Sequence, residues 1–155
     1  MLNVKVKLTE KDSGWDKLAK VLKELDEKSA RVGIQADEDS ELIQYAAQNE
    51  FGANIGKIVI PSRPFIRQTF EKKFEELKKI GFEFGGMIID GKMALDQALE
   101  LWGSKFVSFI RSEIAEGNNF IPNAPLTIKI KGEGKHPLQD TGRLQQSLKT
   151  VVKDK

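Results

Sequence analysis

The sequence predicts one domain that combines long helices with a few short strands. Three observations point there. Apolar residues recur at every second position in some segments and at every third or fourth in others, the two spacings of strand and helix. Gly52, Gly91 and Gly117 fall where such segments end. The chain has 155 residues, a length that suits a single domain with one modest core.

Leu2, Val4, Val6 and Leu8 share a face opposite Asn3, Lys5 and Lys7, the pattern of a half-buried strand. Ser13 is placed to cap the next element, with Asp16 three positions on. Trp15, Leu18, Leu22 and Leu25 then predict an amphipathic helix over 15–28. Val32 and Ile34 mark a second strand over 30–36. Asp37, Glu38, Asp39 and Glu41 surround Ser40 and put negative charge at the start of a helix, where its dipole favours it. That helix runs through Leu42, Ile43, Tyr45 and Ala46 to about Phe51, and Gly52 stops it. The acidic run is read as a solvated helix start, with a cation or partner site as the alternative.

Residues 53–65 hold Asn54, Gly56, Pro61 and Pro64 around Ile58, Val59 and Ile60, an extended loop or hairpin. Pro64 suits the first turn of the next helix. Phe70, Phe74, Leu77, Phe84 and Ile88 continue at helical spacing, while Gly81, Gly85 and Gly86 weaken the segment and leave one helix or two open over 66–90. The clearest helix spans 93–116, with Leu95, Leu99, Trp102, Phe106 and Ile114 in its stripe. Asp96, Glu100, Lys105, Arg111 and Glu113 are assigned to a solvated face. Beyond the Phe120–Pro125 loop, Leu126, Ile128 and Ile130 alternate with Thr127, Lys129 and Lys131, as on an exposed strand edge. Gly132 to Gly134 is a turn or tip. Thr141 or Asp140 is placed to cap a short helix that packs Leu144 and Leu148 inward, and Val151 and Val152 suggest a closing strand.

Composition removes several chemistries. Cysteine is absent and there is one His, which excludes disulfides, thiolate metal sites and Cys nucleophiles, and any multi-histidine centre within one chain. Lys plus Arg is 25 against 23 Asp plus Glu, a net charge of +2, without the basic excess of a dedicated nucleic-acid binder. No apolar stretch suits a secretion signal or a membrane span, so a protein made and folded in a cytoplasm is expected. His136, Asp140 and Ser147 are the one set from which a catalytic triad could be assembled, but no nucleophile elbow surrounds a Ser, and His136 reads as an exposed loop residue. Glu50, beside Phe51, is the carboxylate nearest an apolar run and is read as bonding within the 50–65 turn. Residues 127–155 carry seven Lys or Arg against three Asp or Glu. This basic tail reads first as solubilising charge, with contact to DNA or an acidic partner as the alternative.

Two segments carry a family resemblance. One is Tyr45-Ala-Ala-Gln-Asn-Glu-Phe-Gly52 followed by Ile60-Pro-Ser-Arg-Pro-Phe-Ile66. The other is Pro137-Leu-Gln-Asp-Thr-Gly-Arg-Leu-Gln-Gln-Ser-Leu148. In this order they resemble the neck and tail-completion proteins of long-tailed bacteriophages and prophages, among them the Mu-like virion morphogenesis proteins and the siphophage minor tail components. The chain departs from that pattern in one loop, where Phe120 stands for the family's Trp and Pro-Asn-Ala-Pro precedes Leu126. The resemblance implies an α+β fold with long helices packed on a small mixed or antiparallel sheet, without catalytic residues, cofactor or metal. It implies a homo-oligomeric ring, often six-fold, that joins the tail to the head connector and meets tail-tube or tail-terminator proteins. The expected place is the virion, after synthesis in the host cytoplasm, without membrane or specific nucleic-acid contact. Arg63, Pro64 and Phe65 in the first motif are then candidate interaction residues, with Lys131, Asp140, Thr141, Gly142 and Arg143 around the second. Arg63 and Arg143 each fix either a local loop or an intersubunit pair. The loops near 53–65 and 118–136 are expected to be ordered by neighbouring subunits or the connector, and the acidic 37–41 run and basic tail suit subunits meeting head to tail. A small nucleic-acid-associated domain using the basic tail is the alternative function, and a small hydrolase centred on His136 and Asp140 a further rival.

Overall fold

The computed structural model describes residues 13–132, 136–139 and 141–155. The strand predicted from Leu2 to Leu8 and most of the predicted 132–134 turn lie outside these residues. Six helices and four strands follow in the order α1 (Ser13–Glu27), β1 (Lys28–Ile34), α2 (Ser40–Phe51), β2 (Ala53–Ile55), β3 (Ile58–Ile60), α3 (Phe65–Ile89), α4 (Leu95–Glu116), α5 (Pro125–Lys131), α6 (Arg143–Gln146) and β4 (Leu148–Asp154). The fold is α+β, with the helices packed on small antiparallel sheets.

β1 pairs antiparallel with β4, from Lys28 opposite Asp154 to Ile34 opposite Leu148. α4 lies across this two-stranded sheet, and α3 folds back along α4. The core sits between them, with Phe65, Leu77, Ile110, Ile114 and Leu148 almost wholly enclosed. The helix and sheet approach closely at one point. A Cβ on Gly103 of α4 would lie 2.2 Å from Thr150 Cγ2, so only glycine lets the two surfaces touch there. The Thr150 hydroxyl is buried at this contact and makes no hydrogen bond. The left-handed Gly117 closes α4, as the sequence predicts.

The 66–90 segment is one helix. Gly81 faces the Trp102 indole, whose Nε1 donates to the Leu77 carbonyl at 2.9 Å, so a small residue there serves the packing of α3 on α4. The 53–65 segment holds the β2–β3 hairpin.

Several expectations need correction. The alternation of Leu126, Ile128 and Ile130 belongs to a helix, α5, with Pro125 in its first turn; seven residues are under two turns, too few to separate the two spacings. β4 begins at Leu148, three residues before Val151. Glu113 is not on a solvated face: it is buried and accepts bonds from Lys72 Nζ at 2.9 Å and Asn119 Nδ2 at 3.1 Å. Arg111 is also engaged, its guanidinium donating to the Gln145 and Leu148 carbonyls at 2.8 and 2.9 Å, which fastens β4 to α4. Among the described residues no helix is long and apolar enough to cross a membrane.

Candidate interaction surface

α2 organises the surface. Its N-cap, Asp39, accepts from the Glu41 amide at 2.9 Å, as a capping carboxylate does. The same carboxylate takes Arg143 Nη2 at 2.9 Å, and Lys149 Nζ donates to Asp37 and Glu38 at 2.9 and 3.0 Å. The Lys149 bond holds the Asp37 carboxyl below its ordinary range. Asp39 is lowered first by the Glu41 amide and then by Arg143, while its acidic partners raise Lys149. The acidic run and two cations of the basic tail therefore meet within one subunit. These exposed pairs orient the chain more than they stabilise it.

The other end of α2 holds the first motif. Glu50 is buried at 7 % exposure, and its two carboxylate oxygens accept from the Ile66 and Arg67 amides at 3.0 and 3.1 Å. It thus caps α3 from sixteen residues upstream, because Pro64, at the N-cap itself, offers no side-chain acceptor. The Ser62 hydroxyl donates to the Glu50 carbonyl at 2.9 Å. Arg63 is buried: Nη1 donates to Asn49 Oδ1 at 3.2 Å, Nε to the Ile121 carbonyl at 2.8 Å and Nη2 to the Pro122 carbonyl at 3.1 Å. One planar guanidinium in this way joins α2, the hairpin and the 121–122 segment. Of the two roles considered for Arg63, the structure contains the local one. Phe65 is fully enclosed in the core and presents no surface, while Pro64 stands half-buried at the start of α3. Through Arg63 the 53–65 segment is tied to the 121–122 segment within one subunit.

The second motif runs past the end of α4. Gln139 Nε2 donates to the Ile114 and Ala115 carbonyls at 2.8 and 2.7 Å, closing the last turn of α4. Gly142 adopts φ 79° and stands at the N-cap of α6, where Thr141 or Asp140 was expected. Thr141 is exposed, and its hydroxyl accepts from the Arg143 amide at 3.5 Å. Leu144 and Leu148 are buried, as predicted. Lys131 is the last residue of α5, and Asp140 lies outside the described residues. His136 is exposed, where its Cβ would lie 2.4 Å from a Cβ on Gly117. The Ser147 hydroxyl is buried and donates to the Leu144 carbonyl at 3.0 Å, turned to its own helix and not to a histidine. Among the described residues no three His, Asp or Glu side chains gather as metal ligands would.

Two clefts flank α2 and bring the motifs together. One lies between Glu41, Leu42 and Tyr45 and the 141–144 turn. The other, about 340 Å³, lies between Tyr45, Asn49 and Arg63, the hairpin residues Ile58 and Val59, and Pro122. Tyr45 and Leu138 line both. Beside them, Phe51, Ile58 and Val59 are 72, 64 and 73 % exposed, an apolar display unusual for a small domain. Spacing alone does not single out Tyr45 and Asn49 for these roles; the signal in the sequence is their place in the same motif as Arg63. No family model, curated protein or solved structure matches the chain.

Proposed function

We propose that the chain is a structural, non-enzymatic component of a phage or prophage neck, completing the tail and joining it to the head connector as a ring of identical copies. The observation that carries this reading is the convergence of its two motifs. Residues 45–66 and 137–148 are far apart in sequence, yet Tyr45 and Leu138 line both clefts that flank α2. The motifs thereby border one surface, edged by an apolar hairpin, and not two unrelated loops. A ring subunit needs such a face for the connector or tail-tube protein more than it needs an enclosed pocket.

The basic-tail alternative has less support. Arg143 and Lys149 are both paired with carboxylates of the same chain, which lowers the charge left for phosphate contacts. An electrophoretic shift at physiological salt separates the readings, since a neck component shows no sequence-specific shift. The decisive test is deletion of the gene from its phage. Separate filled heads and unattached tails are expected; normally joined particles overturn the proposal.

A further inference from the structure

We infer that the cleft lined by Arg63 is a carboxylate-binding site, which takes an aspartate or glutamate with an apolar neighbour from a protein other than this chain. This rests on the proposed function and names the chemistry by which its face would recognise a connector or tail-tube protein.

Arg63 is a buried cation held by neutral groups. A guanidinium carries five N–H donors. Asn49 Oδ1 and the Ile121 and Pro122 carbonyls take one each, so one hydrogen on Nη1 and one on Nη2 keep no acceptor among the described residues. Burial pulls the guanidinium below its ordinary range, and the Tyr45 phenol is the one group that opposes the shift. No Asp or Glu among the described residues does so. Glu50, next to Asn49 in the chain, uses both oxygens on the Ile66 and Arg67 amides. A cation taken out of water without an opposite charge is costly. An incoming carboxylate supplies that charge, and its two oxygens accept from the remaining N–H groups.

The cleft fits such a ligand. It is about 340 Å³, and Arg63 is the one charged residue in its lining. Gln48 and Thr127 add neutral donors, while Ile58, Val59 and Pro122 make an apolar wall. Ile58 and Val59 are 64 and 73 % exposed, so an apolar neighbour of the acid has a surface to cover. A nucleic-acid backbone matches less well, because a run of phosphates calls for several cations and this lining offers one.

The test titrates the full ¹⁵N-labelled chain with acetyl-Leu-Glu-Leu-amide and with its Gln counterpart. NMR follows the Arg63 Nε and the Asn49, Ile58 and Val59 amides. The Glu peptide is expected to shift these signals saturably and to bind about tenfold more tightly than the Gln peptide. Equal binding reduces the site to an apolar cleft and overturns the inference, as does the absence of shifts with both peptides. Inorganic phosphate that binds more tightly than the Glu peptide overturns it in favour of a phosphate site. Glu-peptide binding that falls as the chain is concentrated and self-associates assigns the acid to a second copy, and overturns a different protein as its source. Arg63→Gln removes the charge but also the link from α2 to the 121–122 segment, so a variant at an exposed position stands beside it. Val59→Asp sets a carboxylate at the cleft's edge and should weaken the Glu peptide roughly fivefold more than Val59→Asn, which loses the same apolar contact without the charge. Equal weakening by the two overturns the charge recognition. These outcomes judge the site alone, whereas the neck reading stands or falls with the deletion phage.

Discussion

Replacing Glu50 tests whether the first motif builds the fold. Its carboxylate is 7 % exposed and accepts two amides, Ile66 and Arg67, at 3.0 and 3.1 Å. A hydrogen bond to a charged group contributes about 1.5–3 kcal/mol, and a carboxylate at a helix N-terminus adds roughly 0.3–2 kcal/mol from the dipole. The two contributions overlap, so Glu50→Ala, which leaves both amides without their acceptor, is expected to cost about 3 kcal/mol. Glu50→Gln keeps one acceptor oxygen but turns an NH₂ toward the second amide, and about 1–2 kcal/mol is expected. Against a typical total of roughly 5–15 kcal/mol this is a large share. Urea denaturation followed by circular dichroism reads it directly: with a slope of about 1–3 kcal/mol per molar urea, the Ala variant's midpoint falls by about 1–3 M. Amide exchange at Ile66 and Arg67 should accelerate more than at Ile110, which is buried far along α4. A Gln variant as stable as wild type, or an Ala variant losing under about 0.5 kcal/mol, would refute the capping role.

Three other expectations concern packing and charge. Gly103→Ala forces a Cβ to 2.2 Å from Thr150 Cγ2 and should cost about 1–3 kcal/mol in thermal melts; Thr150→Val removes the unbonded buried hydroxyl and should gain about 1 kcal/mol. Gly86→Ala, on the exposed side of α3 with nothing within 4 Å of the new Cβ, should stabilise by roughly 0.5–1 kcal/mol, and a loss would mean that α3 is interrupted there. Asp37 and Asp39 are held below the usual carboxylate range, so their contribution is complete above the unfolded value of about 3.9 and disappears as pH falls through the lower folded values. The urea midpoint should therefore drop below about pH 4 more steeply in wild type than in Lys149→Ala, and superimposed curves would show that the clasp adds nothing.

The long elements are legible because many side chains vote on their spacing. α3 and α4 each present several turns of apolar residues, and their ends carry the Gly91 and Gly117 signals. α5 escapes because seven residues with apolar groups at every second place fit either spacing. Polar partners across the sequence are the other gap. Glu113 looks like any helix-surface acid until α3 brings Lys72 to it, and Glu50 looks like a helix end until the chain returns with Ile66. In the candidate site, the motif residues are legible and their roles are not. Arg63 and Phe65 face inward, where they form the surface without being part of it. Tyr45, Ile58 and Val59 carry its exposed side.

The pairing of β1 with β4 also bears on how the chain folds. Their partners are more than a hundred residues apart, so the sheet closes one of the longest loops the chain can make, at an entropic cost that grows with the logarithm of loop length. The α3–α4 hairpin closes across only a few residues and is expected to form ahead of that loop. Substitutions in β4, such as at Val151 or Val152, should then speed unfolding while leaving the folding rate nearly unchanged, whereas those at Leu77 or Ile110 should slow folding. A kinetic intermediate with α3 docked on α4 and an unformed sheet would display Gly103 and its neighbours to solvent. The last event expected in folding is the arrival of Thr150 on that bare glycine.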